Sequence, residues 1–148
     1  MRGLDVRVTR SPDCEATVKS IVLIARLLVS LFGIALVVLG ILFWTGHALS
    51  LLQVHMTLGG LFVLSLWLLV VLGLLARGNR AFAGVVFIWS LIVPVLGVTQ
   101  LSLLPGRYHW VIQTLHLLVG LIAMGLGHAL ARRLGRRPAA VVISPQAL

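Results

Sequence analysis

Four apolar stretches, each long enough to cross a lipid bilayer, dominate this chain of 148 residues. A helix needs about 20 consecutive apolar residues to span the hydrocarbon core of a bilayer. Because 60% of the residues are hydrophobic and only 10% are charged, the chain could not cover a water-soluble globule with polar surface. We predict membrane spans over residues 21–44, 54–76, 82–104 and 110–131.

The four spans predict an all-α integral membrane protein. Only helices and closed barrels satisfy their backbone hydrogen bonds in lipid, and the stretches lack the period-two alternation of barrel strands. Short connections favour an antiparallel four-helix bundle, in which the second and fourth spans run parallel. We expect a polar tail over residues 1–20, a transmembrane domain over 21–131 and a basic tail over 132–148.

The cationic residues predict the orientation of the bundle. Eleven of the twelve lysines and arginines precede the first span, lie near its start, lie between the second and third spans or follow the fourth. The exception is Arg107, between the third and fourth spans. Since basic loops stay in the cytoplasm, we predict a multi-pass protein of the inner (plasma) membrane with both termini inside.

Composition also excludes several functions. The net charge of +9 comes from the tails and one loop without interleaved aromatic residues, which argues against nucleic-acid binding. Cys14 is the only cysteine, so covalent attachment of haem through a Cys-x-x-Cys-His motif is excluded. No carboxylate follows Glu15, so an acidic proton relay in the spans and hydrolytic catalysis are both disfavoured.

The second and fourth spans share a short phrase, His55-Met-Thr-Leu-Gly59 and His116-Leu-Leu-Val-Gly120. Ionisable side chains within membrane helices are costly, which makes each a functional-site hypothesis. Parallel spans would place both histidines in the outer half of the membrane. Two facing imidazoles could ligate one haem b, and the glycine one turn further in could leave space for the porphyrin.

Polar residues around this pair could serve the rest of the cofactor. Gln53 and Gln113 precede the two histidines closely and would add amide donors. Arg107 and His109 lie in the outer loop, where haem propionates would need cations or donors. A loop arginine without a partner is the alternative explanation for Arg107.

Other pairings of histidines stay open on the sequence alone. His55 lies 22 residues before Arg77 and His116 lies 16 before Arg132, a depth mismatch of roughly 9 Å at 1.5 Å per residue. His109 would match the depth of His55 better and is the second choice, and any pairing with His47 is the third. His128 lies about 120° around the helix from His116, so we expect no second haem.

Three alternatives to a haem site follow from the same residues. Each imidazole could be structural, donating to a backbone carbonyl across the bundle. The chain could be a cofactor-free accessory subunit of a larger membrane complex. The outer histidines could instead hold a divalent transition metal, although no carboxylate is present to complete a cation pathway.

The core over residues 21–131 resembles the small four-helix membrane b-type cytochromes, a group that includes cytochrome b561-like and ferric-reductase-like proteins. The resemblance rests on the size of the bundle, the histidines in two helices and the adjacent glycines. It implies that His55 and His116 are axial haem ligands and that the protein exchanges electrons with quinone or a partner. We expect the protein to work alone or as a subunit of a respiratory or photosynthetic complex, in contact with other membrane subunits or as a homo-oligomer. Unlike those proteins, the chain has no histidine in its first span and no second-haem pair.

Overall fold

The computed structural model describes residues 12–76, 78–100 and 102–136. These residues form four α-helices: α1 (Pro12–Trp44), α2 (Leu52–Leu75), α3 (Arg80–Thr99) and α4 (His109–Gly135). A short 3₁₀ turn at Leu49–Leu51 leads into α2. The predicted tails at residues 1–11 and 137–148 lie outside the described residues, as do Arg77 and Leu101.

All four helices are long and apolar enough to span a membrane, as the sequence predicts. Large aliphatic side chains on their outer faces are exposed, for example Leu31 at 63% and Ile88 at 63%. A water-soluble helix would present polar residues on such a face. The exposed apolar faces therefore indicate a multi-pass protein in contact with lipid.

The helix ends differ from the predicted spans for local reasons. α1 begins at Pro12, where the fixed φ of proline suits the first helical position. α3 ends at Thr99 because the chain turns before Pro105, and Leu104, which precedes that proline, has a positive φ of 46°. α4 continues through Arg132 and Arg133 to Gly135, since long cationic side chains can reach the membrane surface from within a helix.

The helices pack as a four-helix bundle. α1 and α3 each lie against both α2 and α4, and α2 also approaches α4 across the centre. In the described part of the chain, α1 and α3 do not approach each other closely. The largest fully buried side chains come from all four helices and fill this centre: Val29, Phe62, Leu66, Leu69, Val86 and Leu130.

Side-chain hydrogen bonds join neighbouring helices, and one of them runs from Arg80 on α3 to the Leu74 carbonyl on α2. The Trp67 indole donates to Ser90 Oγ at 2.9 Å, which joins α2 to α3. The Trp89 indole donates to the Val119 carbonyl at 3.0 Å, which joins α3 to α4. His128 Nε2 lies 3.3 Å from Ser30 Oγ and joins α4 to α1. Both indole N–H groups thus point into the bundle rather than toward an external partner.

Glycines allow the helices to approach closely. A Cβ atom at Gly73 would lie 2.9 Å from Ala83 Cβ and 3.1 Å from Leu130 Cδ1. A Cβ atom at Gly127 would lie 2.5 Å from Leu66 Cδ2. Leucine can change rotamer at Gly127, but Ala83 cannot move its Cβ without moving α3. Gly73 therefore sets the distance between α2 and α3.

Replacing Gly73 with alanine should destabilise the bundle by about 1–3 kcal/mol, because the new methyl group would push α3 away from α2. The matched control is Gly84→Ala, since no atom lies within 4 Å of the Cβ position at Gly84. That change should be neutral or stabilising by up to about 1 kcal/mol through helix propensity. Unfolding free energies in mixed micelles would measure both. Equal effects of the two substitutions would contradict the close α2–α3 contact.

Candidate ligand site at the histidine end

Two histidines from different helices face each other at one end of the bundle. His55 lies in the first turn of α2 and His116 in the third turn of α4. Their ring centroids are 6.5 Å apart, with 52° between the ring planes. Phe43, at the end of α1, contacts the His55 ring edge-on at 5.3 Å. We call this the histidine end of the bundle.

The depth mismatch expected from the sequence does not occur. His55 lies 20 residues before the end of α2 at Leu75, and His116 lies 19 residues before the end of α4 at Gly135. The earlier count assumed that α4 stops at its arginines, whereas the helix continues past them. The two imidazoles therefore lie at the same depth along the bundle axis. The structure brings together His55 and His116, the first of the three pairings.

The third helix contributes a glycine that accommodates the His116 ring. A Cβ atom at Gly97 would lie only 3.1 Å from His116 Cε1, 3.8 Å from Nε2 and 3.9 Å from Nδ1. A larger residue at this position would displace the imidazole. Gly97 on α3 and Phe43 on α1 thus constrain the two rings from opposite neighbouring helices.

The two facing imidazoles make no hydrogen bond to any described residue. The Nδ1 atoms of His55 and His116 are buried and unpartnered. A buried polar atom left unpaired costs about 1–3 kcal/mol. The structural alternative, in which each ring donates to a backbone carbonyl across the bundle, is therefore not what these residues do.

Two other histidines do find hydrogen-bond partners. His47 Nδ1 lies 3.1 Å from Thr45 Oγ1 in the exposed loop after α1. His128 Nε2 pairs with Ser30, although its Nδ1 is also buried and unpartnered. His128 lies 12 residues beyond His116, which is about 18 Å along α4. Neither His47 nor His128 belongs to the facing pair.

The other predicted site residues lie nearer the surface. The Gln53 side chain is exposed and that of Gln113 is half-buried, and neither amide makes a hydrogen bond to a described residue. His109 is half-buried at the first position of α4. Arg107 is exposed in the loop before α4, with its guanidinium carbon 5.1 Å from the centre of the Tyr108 ring. Among the described residues, none of these four side chains makes a hydrogen bond or ring contact with the pair.

The two glycines of the repeated phrase, Gly59 and Gly120, have open space at their Cβ positions. No atom lies within 4 Å of the Cβ position at Gly59 or Gly120. A cavity of about 50 Å³ lies beside His116 and is also lined by Gly33, Gly120 and Met124. This volume is well below the roughly 300–1,000 Å³ of typical ligand pockets. A large planar ligand would require side chains at the histidine end to move apart.

The donor set is compatible with a haem iron. Two metal–imidazole bonds of about 2.0–2.1 Å each, plus the distance from each ring nitrogen to its ring centre, fill a separation of this size. In the described part of the chain, no three His, Cys, Asp or Glu side chains come together. A metal held by these two imidazoles would need its other donors from outside the described residues, and a porphyrin supplies four nitrogens.

Phe43 and Gly97 are the contacts that the sequence did not indicate. Phe43 is one of five phenylalanines in the chain, and Gly97 is one of 15 glycines. Neither forms part of a repeated phrase. Only the packing of α1 on α2 and of α3 on α4 places them against the histidines.

Comparison with protein families, with curated proteins and with solved structures finds no match to this chain.

Replacing Gly97 with alanine should displace the His116 ring, because the added methyl group would lie 3.1 Å from Cε1. The ring resonances of His116 in protein labelled with ¹⁵N-histidine should shift, while those of His128 should not. Gly84→Ala on the same helix is the control and should leave both sets unchanged. Unaltered His116 resonances in the Gly97 variant would contradict the contact between α3 and this ring.

Proposed function

We propose that this chain is a membrane b-type cytochrome-like electron-transfer protein that binds one haem b between α2 and α4. His55 and His116 would be the axial ligands. The observation that carries this proposal is the pair of facing, half-buried imidazoles, 6.5 Å apart and without hydrogen bonds to the described residues. An unliganded pair of this kind is costly inside a membrane protein.

The number of donors favours haem over a bare metal ion. A transition-metal ion bound by protein side chains usually has three or four protein ligands. Two imidazoles without a third donor among the described residues leave such an ion poorly coordinated. A tetrapyrrole supplies the missing ligands itself, so two histidines complete its coordination.

The surrounding residues would position and shield such a cofactor. Phe43 and Gly97 contact the two rings, and Gly120 lines the small cavity beside His116. Exposed Arg107 lies near the membrane surface, where a propionate could pair with its guanidinium. Haem iron would supply one-electron chemistry by alternating between its ferric and ferrous states. Quinone, which is soluble in the bilayer, or a partner membrane subunit would be the natural electron partner.

The proposed topology is an antiparallel bundle in the inner membrane, with both termini in the cytoplasm. Contacts among the end of α1, the start of α2, the end of α3 and the start of α4 at the histidine end support alternating helix directions. The described cationic residues other than Arg107 gather at the opposite end. There Arg133 lies 4.0 Å over the Phe82 ring, and Arg80 donates to the Leu74 carbonyl. This asymmetry would keep the basic end inside.

The purified protein, reduced with dithionite, should show the Soret band and sharp α-band of a b-type haem. Changing either His55 or His116 to alanine should remove most of the bound haem, because one imidazole cannot hold the iron in the bis-histidine state. His47→Ala should retain the spectrum, since that histidine bonds to Thr45 in the loop. Pyridine haemochrome analysis would measure haem per chain.

A wild-type protein without either band, even after expression with added haem, would overturn the proposal. It would favour the cofactor-free accessory subunit instead. In that case the His55 and His116 variants should assemble with their membrane partners as well as the wild type does.

The topology predicts opposite accessibility of the two ends in intact cells. In a Cys14→Ala background, Ser102→Cys should react with a membrane-impermeant maleimide added outside, because it lies in the loop at the histidine end. Asn79→Cys, in the loop at the basic end, should react only after the membrane is permeabilised. The reverse pattern would place both termini outside.

A further inference from the structure

A second open site lies at the end of the bundle opposite the histidines. The first turns of the apolar part of α1 and the last turns of α4 flank a groove of about 380 Å³. Its rim carries four cationic side chains: Lys19, Arg26, Arg132 and Arg136. We call it the basic groove. Its volume is within the range of small-ligand pockets.

Helical spacing aligns the charges on the two sides of the groove. Lys19 and Arg26 are seven residues apart on α1 and so lie on one helix face, while Arg132 lies in the last turn of α4 and Arg136 follows directly after that helix. The charges converge on one space instead of spreading around the bundle. Retention of a loop in the cytoplasm requires cations near a membrane surface but does not require them to share a groove.

No acidic residue of the sequence lies within ten positions of Arg26 or Arg132, the two arginines that face each other across the groove. No acidic residue follows Glu15, so α2, α3 and α4 cannot supply a carboxylate. Glu15 lies 11 residues before Arg26, which is about 16 Å along α1. Arg26 also lies inside an apolar span, where an unneutralised cation is costly. An anion from outside the chain would offset this cost.

The groove is apolar beneath its charged rim. Val22 and Leu134 are each 7% exposed and line the groove with Ala131. An inorganic anion would gain little from such a floor. A ligand with a charged head and an apolar body would bury its body against these side chains while its head met the arginines.

An exposed apolar stripe continues from the groove along α1. Leu23 lines the groove at 56% exposure. It is followed at intervals of three or four residues by further exposed aliphatic side chains: Leu27, Leu31, Ile34 and Val38. This spacing keeps them on one face of the helix. The stripe extends from residue 23 to residue 38, a rise of about 22 Å along the helix, which is enough to follow an acyl chain through one leaflet.

We propose that the basic groove binds one anionic phospholipid, with its phosphate between Arg26 and Arg132 and an acyl chain along the apolar stripe of α1. Basic pockets between membrane helices suit such headgroups, because each nearby cation strengthens the attraction to an anionic lipid. The site is separate from the proposed haem site, which lies at the opposite end of the bundle, and does not depend on haem.

Native mass spectrometry of the full chain in detergent, titrated with phosphatidylglycerol, tests this proposal. The wild type should retain one tightly bound lipid, and phosphatidylcholine should bind at least about tenfold more weakly. The Arg26→Gln/Arg132→Gln double variant should bind phosphatidylglycerol about 30-fold more weakly, or about fivefold for each arginine. Arg26→Lys, which keeps the charge, should remain within about threefold of the wild type.

The matched control is Arg80→Gln/Arg133→Gln, which removes the same charge from the same end but outside the groove. It should change lipid affinity by less than about threefold. Equal losses in the two double variants would overturn the proposal, because the general field of the basic end would then explain binding. If inorganic phosphate displaced the lipid at equal concentration, the groove would be a site for a free anion, and the proposal that it binds a phospholipid would be wrong. If the double variant does not fold, the single Arg26→Gln change should still weaken binding about fivefold.

Discussion

The high cost of leaving a polar group unpaired in hydrocarbon governs this protein. It forces the four apolar stretches into helices, since only there can the backbone satisfy its own hydrogen bonds. It also explains why Trp67 and Trp89 direct their indole N–H groups to acceptors on neighbouring helices. Against this background, His55 and His116 stand out, because each has a buried Nδ1 atom and neither ring makes a hydrogen bond to a described residue. Their unmet bonding capacity is the strongest physical argument for a ligand.

The sequence was sufficient to predict the helical class and the number of spans, because both follow from the length of apolar runs. It was less accurate at the helix ends. The span predicted to reach residue 104 ends at Thr99, because the turn before Pro105 takes priority over the apolar character of Leu103 and Leu104. The fourth helix extends beyond its predicted end at residue 131. Arginine lowers the hydropathy at which a span is predicted to stop, but it is compatible with a helix at a membrane surface.

Half of the candidate site could be predicted in the same way. The repeated histidine–glycine phrase identifies His55 and His116, since charged or polar residues stand out in an apolar span. The choice of partner could not be made reliably, because the depth count depended on where α4 ends. Gly97 and Phe43 carry no local signal at all. Their role arises from the contacts of α3 with α4 and of α1 with α2, which no single segment encodes.

The bond from the Trp89 indole to the Val119 carbonyl restricts how the histidine end can adjust. Val119 lies three residues after His116, so this bond holds α3 to α4 within one helical turn of the imidazole. Gly97, also on α3, lies against the imidazole ring itself. Rotation of α4 about its own axis would break the first contact and crowd the second. Hinge-like splaying of the helix tips preserves both. Binding of a flat ligand would therefore separate the helices at the histidine end, while the direction in which His116 projects from α4 stays the same.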